Sequence, residues 1–287
     1  GDFVELDLQI TKDGHIITSH DPCLKETSNI EDFPEFKDRQ KDTYVGFPYD
    51  YLYKDDWLIH DFTLAEIKTL KRKQRYPQFR NMMLDNIFQY MTLNETIELM
   101  QSMAIKMPRS QDKKYNIGLY IETKQYKMYR DQYNVDLAEK LIKFVGYDLE
   151  TVEKSTGTIP VIIESFEREA LEKYQTLSDL PRIYLMFNKM MEDESLTDVA
   201  KFAHGIGPGV DGIFKNDFLA VAKSNELQVH PWVVRDETLG TLEPIDENVL
   251  YYTSGVDGIF TEHPHLTKAA FLDYNKTVDE PKMEFTQ

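Results

Sequence analysis

Between Phe3 and Thr11 apolar and polar residues alternate without a break, with Val4, Leu6, Leu8 and Ile10 on one side and Glu5, Asp7, Gln9 and Thr11 on the other. This period of two predicts a β-strand. Lys12-Asp13-Gly14 predicts a turn, and His15 to Ser19 a returning strand that delivers His20-Asp21 beside the first. A second stretch repeats the pattern: Ile117, Leu119 and Ile121 share one face, and Tyr120, Glu122 and Lys124 the other. Taken alone, the first stretch fits a half-exposed strand whose acids face water. Two apolar-backed strands that each present acids predict instead one polar site fed from several strand ends.

From Leu24 to about Met91 this rhythm lapses, interrupted by Pro34, Pro48 and Pro77. The clear element there is a short helix, Thr63 to Lys71, with Thr63 as N-cap and Glu66 as its capping-box partner. Residues 22–91 therefore read as an insertion folded over one end of the domain. Lys68, Lys71, Arg72, Lys73 and Arg75 are expected on a solvated helix face.

Beyond Met91 helices and strands alternate. Helices at 93–106, 135–145, 167–177, 195–203 and 217–224 precede strands at 117–124, 159–165, 183–187, 205–207 and 227–234. A last strand at 256–261 is followed by a helix at 266–274. Such alternation predicts a parallel sheet with right-handed crossovers. The hexapeptide GVDGIF occurs at Gly209 to Phe214 and again at Gly255 to Phe260, where it is expected to end a strand. With the Phe3 strand the count is seven core strands, one short of the eight in a TIM (β/α)8 barrel. The expected architecture is a single α/β barrel domain over residues 1–287, with the first strand and helix upstream of Gly1.

The 287 residues, 41% hydrophobic and 12% aromatic, suffice for a full core. A formal net charge of -17 argues against nucleic acid and anionic membrane surfaces as partners. No stretch approaches the ~18 uninterrupted apolar residues of a membrane span. The lone Cys23 excludes an internal disulfide framework and a cysteine-rich zinc site, and reads as structural.

Glu5-x-Asp7, Thr11 to Gly14, His20-Asp21 and Ile121-Glu122-Thr123-Lys124 occur together with Phe62-Thr63-Leu64, Ser165-Phe166, Gly205 to Pro208, His230 to Arg235, and Gly255 to Thr261 followed by Pro264. In that order, over nearly the whole chain, these motifs resemble the glycerophosphodiester phosphodiesterases. The insertion and the His230-Pro231-Trp232 segment are most similar to the larger, bacterial periplasmic type. The resemblance implies a TIM barrel that hydrolyses glycerophosphodiesters, such as glycerophosphocholine, to glycerol 3-phosphate and an alcohol. It implies Glu5, Asp7 and Glu122 as ligands of Ca²⁺ or Mg²⁺ and His20 as one of two catalytic histidines. The residue types agree, because clustered carboxylates repel one another and a phosphate until a hard cation joins them. Lys124 is expected to bind a phosphoryl oxygen, and Trp232 to offer the glycerol or alcohol part an apolar wall. A periplasmic, secreted or organellar location rests on the resemblance alone.

The chain also departs from the family. The His-Arg-Gly and Pro-Glu-Asn segments, with a second catalytic histidine and a further metal-binding glutamate, are missing from the sequence. His15, His60, His204, His230, His263 and His265 read as structural or surface groups, and Glu26 and Glu262 stand where the family usually has Arg and Asp. With one histidine in context, the 287 residues alone are expected to be nearly inactive. A noncatalytic relative serving as an interaction subunit of a larger assembly is the alternative.

Overall fold

The structure, a computed structural model, describes residues 2–106, 117–145, 159–215, 217–235 and 244–277. The chain divides into two compact units, Asp2–Arg182 and Ile183–Gln287.

The first unit opens with the predicted hairpin: β1 (Phe3–Ile10) pairs antiparallel with β2 (Ile16–Thr18). Gly14, at φ +86°, supplies the left-handed backbone of the turn, and Thr11 N donates to His15 O at 2.9 Å. Leu6, Leu8 and Ile10 are buried as the alternation requires. Gln9 and Thr11 were expected on the polar face with Glu5 and Asp7, yet they too are fully buried. Partners make this tolerable: Gln9 Nε2 donates to Gln125 Oε1 at 2.8 Å, and Gln9 Oε1 accepts from Tyr129 Oη at 2.6 Å.

Residues 22–91 are ordered around a hairpin that the sequence did not announce, β3 (Lys41–Val45) with β4 (Tyr51–Asp56). Ile17, Leu24, Ile30, Phe36, Trp57, Ile59, Phe62, Ile67, Leu70 and Tyr90 form one buried cluster that holds the 3-10 turns of this segment. The expected helix keeps its capping box but is only α1 (Leu64–Ile67), a single turn. The basic run beyond it is accordingly not a helix face. Lys68 pairs with Glu95, the Arg72 guanidinium lies 4.5 Å from the centre of the Tyr90 ring, and Arg75 faces Asp21.

After α2 (Leu93–Lys106) the regular alternation holds. β5 (Gly118–Thr123) lies parallel to β1, and is followed by α3 (Tyr126–Tyr133) and α4 (Leu137–Phe144). β6 (Val161–Ser165) lies parallel to β5 and leads into α5 (Arg168–Leu177). α3 escaped the sequence pattern because its start is made by tertiary contacts. Gln125 is left-handed, and the amides of Tyr126 and Lys127 donate to the Glu167 carboxylate at 2.6 and 2.8 Å.

The second unit begins within β7 (Arg182–Met186) and carries the short helices α6 (Asn188–Asp193) and α7 (Leu196–Val199), and β8 (Gly205–Pro208). α8 (Phe218–Ser224), β9 (Gln228–Val229), α9 (Pro244–Ser254) and α10 (Pro264–Thr277) follow. β7, β8 and β9 are parallel in that order. Two predicted strands are shorter than their sequence. The 227–234 strand pairs regularly only at Gln228–Val229, because Pro231 has no N–H to give, and Trp232 and Val234 make isolated bridges to Gly209 and Thr261. Of the 256–261 strand only Thr261 makes a bridge: the Asp257 carboxylate takes the amide of Val229 at 2.9 Å, and Gly255 is left-handed at φ +87°. α9 and α6 were not foreseen from the sequence.

Candidate functional site

Strand register gathers the acids. Asp7 is level with Glu122 across β1 and β5, and Glu122 with Glu164 across β5 and β6, so three carboxylates form a row across parallel strands. Glu5 precedes Asp7 by one pleat on the same face of β1. Glu5, Glu122 and Glu164 offer oxygens that all lie within 4.8 Å of one another. A hard cation with ligand oxygens at about 2.3–2.6 Å spans such a set.

Glu164 was absent from the candidates, although its signal was in the sequence. It alternates with Ile163 and Ser165 near the end of its strand just as Glu122 alternates with Ile121 and Thr123. Asp7, expected to be a ligand, stands beside this trio and pairs with Lys124: its Oδ1 is 3.2 Å from Lys124 Nζ. The same ammonium is 2.7 Å from Glu122 Oε2 and donates to Tyr49 Oη at 2.8 Å. The Lys124 side chain is 3% exposed, so the carboxylates hold it inside the site. Tyr49, from the β3–β4 connection, packs edge-on to Phe166 with ring centres 5.9 Å apart, and neither ring was a sequence candidate.

The electrostatics show a site with too much negative charge. Four carboxylates face one lysine. Burial, then Glu5, Glu122 and Asp7, raise Glu164 well above the usual carboxylate range, and its buried Oε2 has no hydrogen-bond partner. Burial pushes Glu122 up to about 7 against the opposing pull of Lys124, with Asp7 adding to the rise. Glu5 keeps an exposed edge, yet desolvation at the crowded strand face, then Asp7 and Glu122, raise it as well. For Asp7 burial works upward, but Lys124 and His20 outweigh it and hold the carboxyl below its ordinary value. Lys124 is opposed by burial but kept charged by Glu122 and Asp7. Carboxylates that retain protons for want of a partner, around an orphaned buried oxygen, are a donor set suited to a divalent cation.

His20 stands beyond β2, where Ser19 N donates to Asp7 O at 2.9 Å and Gln9 Nε2 to His20 O at 3.1 Å. Its Nδ1 is 2.9 Å from Asp21 Oδ1; a carboxylate only accepts, so this hydrogen bond uses the tautomer with the proton on Nδ1 and leaves Nε2 without one. Asp21 is almost fully buried, and Tyr53 Oη donates to the same oxygen at 3.3 Å. Burial would raise Asp21, but the hydrogen bond and charge of His20, then Arg75, hold it low. Arg75 Nη1 lies 3.2 Å from Asp21 Oδ2 and 3.2 Å from His20 Nδ1, while its Nε is 3.7 Å from Glu26. Glu26 thus faces a guanidinium that the sequence had assigned to a solvated face.

Trp232 belongs to the second unit. There its Nε1 donates to Gly207 O at 2.7 Å and its ring meets Phe187 edge-on at 5.5 Å. His230 is buried, and desolvation lowers it to about 4, leaving it neutral at ordinary pH. His60 Nδ1 lies 3.1 Å from Ile10 O, between the rings of Tyr129 and Tyr133.

Comparison with known proteins gives the family. The sequence profile of the Glycerophosphoryl diester phosphodiesterase family matches residues 1–266. A glycerophosphodiester phosphodiesterase of Arabidopsis thaliana is 30% identical over 296 residues, covering 91% of this chain and 76% of that protein. One from Bacillus subtilis is 28% identical over 277 residues, covering 92% and 75%. Among solved structures, a glycerophosphodiester phosphodiesterase from Agrobacterium tumefaciens is similar with a TM-score of 0.59 at 16% identity, covering 94% of this chain and 87% of that one. An Oleispira antarctica phosphodiesterase, in complex with the product sn-glycerol-3-phosphate, is similar with a TM-score of 0.58 at 18% identity, covering 94% and 84%. The fold class is that of the TIM barrel. Agreement of the profile over most of the chain with relatives that match nine-tenths of it leads to one conclusion: the chain belongs to the glycerophosphoryl diester phosphodiesterase family, a family of phosphodiesterase enzymes.

Proposed function

We propose that the full-length protein hydrolyses glycerophosphodiesters, glycerophosphocholine among them, to glycerol 3-phosphate and an alcohol, with Ca²⁺ or Mg²⁺ bound among Glu5, Asp7, Glu122 and Glu164. The observation that carries this reading is the trio of carboxylate oxygens within 4.8 Å in an otherwise undercompensated acidic site. A bound divalent cation supplies the positive charge at which a phosphate docks and its transition-state charge is stabilised.

The chain's own groups do the rest. His20, with its Nδ1 proton held by Asp21, offers Nε2 to take a proton from the nucleophile or return one to the leaving alcohol. Lys124 adds a fixed positive charge for a phosphoryl oxygen. Trp232 is assigned the apolar wall for the glycerol or alcohol part. The insertion and the His230-Pro231-Trp232 segment support a relationship to the larger, bacterial periplasmic type.

The test is release of glycerol 3-phosphate from glycerophosphocholine by the full-length protein, after chelation and after restoring Ca²⁺ or Mg²⁺ separately. Activity lost on chelation, restored by one of the ions and absent in Glu122→Gln and Glu164→Gln supports the reading. Undiminished release after chelation refutes it.

A further inference from the structure

Phe79, Met82, Met83, Leu84, Ile87 and Phe88 are exposed by 69, 54, 75, 57, 54 and 56% of their surfaces, all within residues 79–88. Scattered exposed apolar residues are ordinary; a continuous run of this kind marks an interaction surface. The run is a closed loop with a fixed base. Arg72 N donates to Phe88 O at 2.7 Å, Asn86 N to Arg72 O at 2.8 Å, and Gln74 N to Asp85 Oδ1 at 2.7 Å. Arg72 Nη1 in turn donates to Thr18 O at 3.2 Å, and Arg75 meets His20 and Asp21. A loop anchored at its base with its large, flexible apolar side chains turned to solvent offers a face that adapts to a deformable surface.

The charges narrow the partner. Lys71, Arg72, Lys73, Arg75 and Arg80 lie in or next to the loop in the chain, Arg72 on the Tyr90 ring, Arg75 beside Asp21, Lys73 4.0 Å from Glu31 and Arg80 over Tyr76, whereas the chain as a whole carries a net charge of -17. The local cations favour phosphates, and the overall charge disfavours a strongly anionic bilayer. A zwitterionic headgroup layer satisfies both, since its phosphates meet the loop cations and its quaternary ammonium groups meet aromatic faces and the acidic remainder. We infer that the loop of residues 73–88 docks this protein onto a phosphocholine-rich lipid surface. Phe79, Met82, Met83 and Leu84 enter the interface and Lys73 and Arg80 lie at the phosphate level. This docking goes beyond the proposed hydrolysis and does not depend on it.

The experiment is co-sedimentation of the full-length protein with phosphatidylcholine vesicles. Wild type sediments with them, and less with vesicles containing phosphatidylserine. Met83→Ser/Leu84→Ser and Phe79→Ser/Phe88→Ser each reduce the bound fraction at least about tenfold. Their melting temperature is unchanged, because the replaced side chains are exposed. Glu122→Gln binds vesicles like wild type, so failure of docking and failure of the hydrolytic reading remain separate results. The inference is overturned if wild type stays in the supernatant, or if the serine variants sediment as well as wild type. It is also overturned if the loop instead drives a concentration-dependent dimer, visible by sedimentation velocity and abolished by the serine variants.

Discussion

Glu164 decides how the acidic site is balanced, since one of its buried oxygens has no hydrogen-bond partner and three other carboxylates act on it. Glu164→Gln removes one charge at nearly constant volume. It is expected to weaken divalent-cation affinity at least about tenfold, measured by titration calorimetry. Unchanged affinity would remove Glu164 from the site. His20→Ala is expected to lower kcat by about 10²–10⁴-fold with cation affinity intact. Asp21→Asn is a finer probe, because it exchanges the acceptor that fixes the Nδ1 proton for an amide. The expected result is a fall in kcat with little change in KM, and a rise in KM alone would show that Asp21 acts on substrate binding instead.

At the scale of elements, local capping and tertiary support can be separated. α1 is a single turn, held by Thr63 and Glu66 in reciprocal hydrogen bonds and by Arg39, whose Nη2 donates to Glu66 Oε1 at 2.6 Å. Thr63→Ala is expected to cost about 1 kcal/mol in urea unfolding. A negligible loss would mean that the buried cluster around Ile67 and Leu70 fixes the turn without its cap. Gly118 is a tighter constraint: a Cβ there would lie 2.4 Å from Phe3 Cδ1 and 3.0 Å from Pro160 O. Gly118→Ala therefore forces β1 and β5 to adjust at the strand pair that aligns Asp7 with Glu122, and should lower both stability and cation affinity.

For the molecule as a whole, pH and cation are linked through the same carboxylates. Glu122 titrates near about 7 when folded and metal-free, and Glu5 and Glu164 are shifted in the same direction. In the unfolded chain a glutamate titrates near ~4.3. A raised folded value stabilises the protein fully below the unfolded value, and that contribution is lost as pH rises through the folded one. Asp21 works in the opposite sense, its contribution present at neutral pH and lost on acidification. The metal-free melting temperature is therefore expected to fall between about pH 5 and about pH 8. A divalent cation should remove that slope and add about 2.7 kcal/mol at a hundredfold excess over its Kd. Identical melting curves with and without Ca²⁺, Mg²⁺ and chelator across this range would show that no cation binds the native state.

The sequence by itself determined the β1–β2 hairpin, the parallel β5 and β6, the helices with clean amphipathic patterns, and the shared face of Glu5, Asp7, Glu122 and Lys124, because period and turn chemistry are local properties. It did not determine which polar residues are buried. Gln9 and Thr11 share the strand phase of Glu5 and Asp7 yet lie inside, since Gln125 and Tyr129 reach Gln9 from over a hundred residues away. Glu164 shares the strand pattern of Glu122, but only the tertiary structure could close Tyr49 on Lys124 and place Arg75 against His20 and Asp21. It also set the Asp257 carboxylate on the amide of Val229 and started α3 on the Glu167 carboxylate. Each of these rests on register or on a contact between segments distant in the chain, which no local pattern of residues encodes.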